Sequence, residues 1–216
     1  MRYQDVFQCL KGVGSVDLSA LVLPVRDFPY GLHPVNCREG RIDRSVVQML
    51  TSARNMHADS FLTKFVATPA RTELWLSQYV AADPTRILFT VRDFISGEFY
   101  GYMGLAYGDP TGSRIEGDAI VRFSDSLLPG LMKAAFIRMV EWASQDIGIS
   151  EVWVRVLADN PAVAFYEACG FERTREAPLY ENRGASGDLE ELSEDPQVES
   201  WLLSDRALVY MRYSKK

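Results

Sequence analysis

The chain has 216 residues, 47% of them apolar, and a net charge of −6, a size and composition that suit one domain with a substantial core. Its longest uninterrupted apolar runs, 162–166 and 207–211, are only five residues, far short of the roughly eighteen a membrane-spanning helix needs, and residues 1–10 lack a signal-peptide core. No basic stripe supports a nucleic-acid partner, and three cysteines (Cys9, Cys37, Cys169) without metal-like spacing fit a reducing, cytoplasmic setting better than a disulfide framework.

Residues 1–17 are weakly patterned and read as an N-terminal extension of a single domain. Residues 18–26 read as a first strand, which Pro24 confines to an edge or ends. Residues 27–40 are a loop rich in Pro and Gly. Asp43 is a helix cap, with Ile42 and Val47 spaced as a hydrophobic staple, and the helix runs to about His57. Thr68-Pro69 opens a second helix with Leu74, Trp75, Tyr79 and Val80 as its apolar side, and Asp83-Pro84 stops it.

Three strand-like runs follow, 86–92, 99–107 and 114–123. The turns between them, Ser96-Gly97 and 108–112, are short enough to require an antiparallel meander. Residues 127–147 form the longest helical stretch, apolar on most faces and therefore expected to lie buried against the sheet.

An extended run at 151–157 leads into a short helix. Asn160 is its cap, Pro161 suits the first helical position because no N–H is needed there, and Gly170 is its left-handed stop. Phe171 opens another extended run. Residues 181–199 hold seven acids and one base, Arg183, and so carry the whole net charge; they read as a solvated acidic insertion. Asp195-Pro196 is expected to cap a short helix carrying Trp201, and 206–213 closes the chain as a strand.

The segment 160–171, with Asn160, Ala164, Phe165-Tyr166 and Gly170-Phe171 after a Val-rich strand, resembles the acyl-CoA-binding half of the GNAT-type N-acetyltransferases. The element order from about Leu18 to Tyr213 is similar to theirs. The resemblance implies an α/β (α+β) fold, with a mixed, mostly antiparallel twisted sheet flanked by helices and splayed at its two central strands, 115–123 and 152–157. The pantetheine arm of acetyl-CoA, or of another acyl-CoA, would enter that split. Asn160 would contact the arm or hold the split open, and Phe165 would pack near it. Tyr166 would protonate the departing thiolate, a step suited to a phenol of ordinary pKa near 10. The simpler reading of Tyr166 is an amphipathic core residue with its hydroxyl satisfied.

Strict alternation along 114–123 places Glu116, Asp118, Ile120 and Arg122 on one face. Two acids there are poorly explained by core packing. Glu116 or Asp118 would deprotonate the acceptor amine or bind a cationic acceptor. The plainer alternatives are a solvated half-strand or a salt bridge to Arg122. Backbone N–H groups of Ile120, Val121 and Arg122 would polarise the thioester carbonyl.

The pyrophosphate loop departs from the family. In the window 127–132, Leu127 and Met132 replace the usual Arg/Gln and small residue, Pro129 has no N–H, and Asp125 adds negative charge. Gly130 is retained. The N–H groups of Gly130, Leu131 and Met132, with Lys133 or Arg138, remain the phosphate donors. Arg54, Asn55, His57 and Phe61 are placed near the acceptor pocket by position alone. Tyr100, Tyr102 and Tyr107 are candidates to line it, although aromatic residues are ordinary in strands. His33 and His57 show no metal spacing, and the implied chemistry needs no metal. The resulting expectation is transfer of acetyl to a primary amine of a small molecule or amino-sugar nucleotide, with a homodimer left open and no membrane partner. The competing expectation is a GNAT-like binding or assembly module without catalysis.

Overall fold

The computed structural model describes residues 2–124, 128–185, 187–196 and 200–214, and the chain divides into two units. The architecture is mixed α/β, with antiparallel strands and helices packed on them. Among the described residues no helix is long and apolar enough to cross a membrane.

The first unit comprises Met1–Arg54 and Ala67–Val152. Its strands β3 (Ile87–Asp93), β4 (Phe99–Ala106) and β5 (Arg114–Arg122) form the expected antiparallel meander, and β1 (Leu23–Pro24) and β2 (Tyr30–Pro34) extend it beyond β3, each strand paired with the next. Cross-strand register gives the meander two unlike faces. Leu32, Ile87, Phe89, Val91, Met103, Leu105 and Ile115 share one face and are fully buried. Against it lies the helix α4 (Leu131–Glu141), prolonged by a π-helical segment (Trp142–Asp146) whose Trp142 meets the Phe89 ring edge-on at 5.4 Å. The other face carries His33, Thr90, Arg92, Tyr102, Glu116 and Asp118.

Several elements of this unit differ from expectation. The opening residues form a helix, α1 (Tyr3–Leu10), with Tyr3, Phe7 and Leu10 buried at helical spacing and Phe7 stacked on Trp142 at 5.9 Å. The first strand shrinks to two residues, and the supposed loop after it contains β2. Asp27, at φ 65, turns the chain there, and the Val25 N–H donates to the Tyr30 carbonyl at 2.9 Å. Pro34 is tolerated as the last strand residue, where a missing N–H breaks no interior ladder. Helix α2 (Arg44–Met56) starts as expected, with the Ser45 N–H donating to Asp43 Oδ1 at 2.8 Å.

Helix α3 (Pro69–Leu74) is capped by Thr68 but continues as a π-helix (Trp75–Val80). The wider turn buries Leu76 and Val80 and leaves Leu74 and Tyr79 exposed, which corrects the apolar side assigned from a 3.6-residue period. Helix α4 begins only at Leu131. Asp125 and Leu127 lie outside the described residues.

The second unit comprises Asn55–Val66 and Trp153–Lys216, the division falling within β6 (Glu151–Leu157). Here β6 pairs with β9 (Leu202–Tyr213), β9 with β7 (Phe171–Arg183), and β7 with β8 (Leu189–Ser193), all antiparallel. Much of the presumed acidic insertion is therefore a β-hairpin. Leu192 explains it: it is almost fully buried with Leu157, Ala177, Leu179, Leu208 and Tyr210. Leu189 and Leu192 anchor the strand on either side of Glu190 and Glu191, so charge counting alone conceals it. Glu194 is held by the Tyr210 hydroxyl, Arg155 and Arg175. The helix expected after Pro196 falls largely on 197–199, outside the described residues, and Trp201 immediately precedes β9.

Candidate active site

In the first unit the chemistry-bearing side chains gather around an irregularity in β5. Tyr102 pairs with Val121 and Gly104 with Asp118, so Met103 alone opposes both Ala119 and Ile120. This is a β-bulge, and Ala119 sits at φ 55, a conformation that a residue with a Cβ rarely adopts. The extra residue inverts the alternation beyond it. Glu116, Asp118 and Val121 share a face, while Arg122 joins Gly117 on the opposite one. The grouping of Ile120 and Arg122 with the two acids is thus corrected, and the partners of the acids change with it.

Glu116 is buried and accepts from Arg114 Nη2 at 2.8 Å. Asp118, part-buried, accepts from Arg86 Nη1 through Oδ2. Arg86, just ahead of β3, was not singled out from the sequence. Its Nε lies 3.6 Å from Asp83 Oδ2, and its guanidinium sits 5.1 Å from the centre of the Tyr107 ring. Burial alone would lower its pKa, but the charge of Asp118, then Tyr107 and Asp83, outweigh burial and hold it above its usual value.

Tyr102 is almost fully buried on the same face. Burial pushes its phenol well above 10, against the pull of the Arg54 cation and with the Asp118 charge adding to the rise. Tyr102 is therefore a neutral hydrogen-bonding group at physiological pH. Arg54, at the end of this unit's first segment, is lowered chiefly by burial, with Tyr102 opposing and Arg71 reinforcing, yet a guanidinium stays charged. His33 and Thr90 continue the polar row, paired with each other across β2 and β3.

The expected phosphate loop precedes α4. Gly130 takes φ 88, and a Cβ there would meet only Phe28 at 3.8 Å, so its surroundings are open. The Tyr100 hydroxyl pins the loop by donating to the Leu128 carbonyl at 3.1 Å and accepting from the Leu128 N–H at 3.3 Å. Among the described residues no side chain caps the helix start, and early N–H groups such as that of Met132 would be the donors for an anion, with Lys133 exposed beside them. The Leu131 N–H is different: it donates to the Leu128 carbonyl at 3.2 Å, and the Leu131 side chain is fully buried. Met132 packs over the sheet at Gly101. The described part of the loop thus offers the phosphate group of an acyl-CoA fewer donors than the window promised.

In the second unit, the Ala162 N–H donates to Asn160 Oδ1 at 2.8 Å, and Pro161 at φ −55 opens α5 (Ala162–Ala168). Gly170 at φ 92 ends it and leads into β7. Tyr166 is nearly buried, edge-on to Phe165 at 5.4 Å and 6.1 Å from Phe171, while Phe165 is part-exposed. The cap and stop were legible from the sequence. Among the described residues no group of three or more His, Cys, Asp or Glu side chains is placed to hold a metal ion.

The acetyltransferase (GNAT) domain family matches residues 40–172, well over half of the chain, and the chain belongs to that family. No curated protein matches the sequence. Solved structures with the same fold include a probable GNAT-family acetyltransferase from Chromobacterium violaceum, 18% identical with a TM-score of 0.62, the match covering 88% of this chain and 85% of that one. A GCN5-related N-acetyltransferase from Brucella melitensis is 16% identical with a TM-score of 0.60, over 89% of this chain and 77% of that one. A spermidine N-acetyltransferase SpeG chimera from Vibrio cholerae and hSSAT is 16% identical with a TM-score of 0.57, over 86% of this chain and 95% of that one.

Proposed function

We propose that the protein is an acyl-CoA-dependent N-acyltransferase that moves acetyl from acetyl-CoA to a primary amine of a small molecule or amino-sugar nucleotide. The observation that carries this reading is the bulge in β5, directly after Asp118, in a chain of the GNAT family. A non-glycine residue at positive φ costs free energy and persists where the surroundings enforce it, often beside a reacting centre. Bound acetyl-CoA would supply a thioester carbonyl open to attack by a neutral amine.

Gly130, Met132 and Lys133 would hold its phosphates, and the backbone of Ile120, Val121 and Arg122 would hydrogen-bond along β5. By the family resemblance, Asn160 and Phe165 would serve the pantetheine arm. Tyr166 would give a proton to the leaving thiolate sulfur, and Glu116 or Asp118 would bind the acceptor ammonium or take its proton. Spermidine is the substrate named for the Vibrio cholerae relatives, which makes polyamines the first acceptors to try here.

The test begins with calorimetric titration of acetyl-CoA, then thiol release across a panel of amines. One site per chain and saturable transfer are expected. Tyr166→Phe should then lower kcat by about a hundredfold; unchanged turnover would remove Tyr166 from the acid role. The second reading, a binding module without catalysis, draws on the Leu131 N–H already being used within the loop and on Pro129 having none. Absence of acetyl-CoA binding would favour it.

A further inference from the structure

The feature not absorbed by that scheme is the guanidinium on Asp118. Arg86 is largely buried, its side chain 15% exposed, and it reaches from the start of β3 to the carboxylate on β5. Its own position is fixed twice over. Its N–H donates to the Asp83 carbonyl at 3.3 Å, and its Nε faces the Asp83 carboxylate. That turn is clasped in its own right: Asp83 Oδ1 accepts from the Thr85 N–H at 2.9 Å, and the fully buried Lys11 donates through Nζ to the Asp83 and Val80 carbonyls, each at 2.7 Å. A buried cation delivered by so rigid a turn to an acid that adjoins a bulge is more than a surface ion pair.

We propose that Arg86 is a positioning residue that holds Asp118, through its carboxylate, as the docking group for the ammonium of a cationic aliphatic amine. This rests on the acyltransferase reading above. Asp118 lies at the last regularly paired position before the bulge, and Arg86 engages Oδ2, so Oδ1 is the carboxylate oxygen that would take the acceptor ammonium. Among the described residues, the charged and titratable groups around it are Arg86 with Asp83 and Tyr107 behind it, Tyr102 with Arg54 behind that, and Glu116 with Arg114 two residues along the same face. Of these Tyr102 stays neutral, so Asp118 supplies the negative charge next to Tyr102. A carboxylate already held by one cation is better suited to orienting a second than to removing its proton. Proton removal then falls to solvent or to Glu116.

The experiment is a double-mutant cycle on kcat/KM, with Arg86→Gln, Asp118→Asn and both together, assayed with a polyamine and with an arylamine that is uncharged at neutral pH. Each single variant should lose about a hundredfold with the polyamine, the cost of a misplaced reactant, and far less with the arylamine. The double variant should be no worse than Asp118→Asn alone, because Arg86 acts through Asp118. Arg86→Lys, which keeps the charge but not the planar fork, should recover part of the loss and guards against misfolding of the Gln variant. Additive losses, or equal losses with both amines, would overturn the proposal while leaving the acyltransferase reading intact. A wild-type protein that binds acetyl-CoA but acetylates no amine would sink both.

Discussion

Lys11 has no solvent exposure, yet it carries an amine whose two hydrogen bonds close the end of the helix before Asp83. Replacing it with Met keeps the volume, strands the buried Val80 carbonyl and leaves the Asp83 carbonyl with the Arg86 N–H, so Lys11→Met should cost roughly 1–3 kcal/mol in urea unfolding. Burial lowers its pKa from 10.5 to about 8, with Cys37 and Asp83 opposing and Arg86 reinforcing. Between those values the unfolded chain binds the extra proton, so this group makes stability rise with pH from about 8 upward. Cys37 works the other way above 9, because burial pushes its thiol up to about 12 and the folded chain keeps that proton. The wild-type urea midpoint should therefore rise between pH 7.5 and 9, and in Lys11→Met it should not; parallel curves would refute this. Such residues were not legible in the sequence. Lys11 and Arg86 meet partners about seventy and thirty-two positions away, whereas Asn160 was legible because its partner is two residues off.

Elements read well from the sequence wherever their period was regular and their ends carried local chemistry. The cap at Asp43, the Asn160-Pro161 start and the Gly170 stop are all interactions within three residues. Two of the failures share a cause, a period broken by one residue. The π-helical turn after Leu74 moved the buried side to Leu76 and Val80, and the bulge at Ala119 carried Arg122 to the opposite face. Neither leaves a signature in residue type, since cross-strand and interhelical packing selects them. Gly101 is their tertiary counterpart. A Cβ there would press on the Val121 carbonyl, on Arg122 Cα at 3.2 Å and on Met132 Sδ at 3.1 Å. Met132 could swing aside, but the bulged backbone of β5 could not. Gly101→Ala should destabilise by about 1–3 kcal/mol and weaken acetyl-CoA binding together with stability, because β5 and the start of α4 both give way. An unchanged melting temperature with intact binding would show that β4 and β5 have slack at that point.

Over the molecule as a whole, the groups with resolved shifts on the acid side point in one direction. Asp17, Asp43, Asp93, Asp109 and Asp159 are all held below the usual carboxylate value: hydrogen bonds from Ser19, Ser96, Thr111 and Arg206 lead for Asp17, Asp93, Asp109 and Asp159, and for Asp43 those from Ser45 prevail over burial. Their stabilisation is present above about pH 4 and fades below it. His33 acts earlier. Burial, and then the Arg92 cation, lower its pKa from 6.5, and its buried Nε2 has no hydrogen-bond partner among the described residues. A proton placed there would be a buried donor without an acceptor, on the strand next to Arg92, which already serves Asp43 and stacks on the Phe99 ring at 4.3 Å. The unfolded chain accepts that proton near pH 6.5 and the folded chain resists it, so stability should begin to fall as pH drops through about 6.5, well before the carboxylates titrate. Urea midpoints at pH 7.5, 6.5 and 5.5 should step downward in the wild type, and the step should vanish in His33→Gln, which cannot take up the proton. A wild-type midpoint that holds constant to pH 5.5 would mean that the strand around His33 admits water and that its neutrality contributes nothing to the fold.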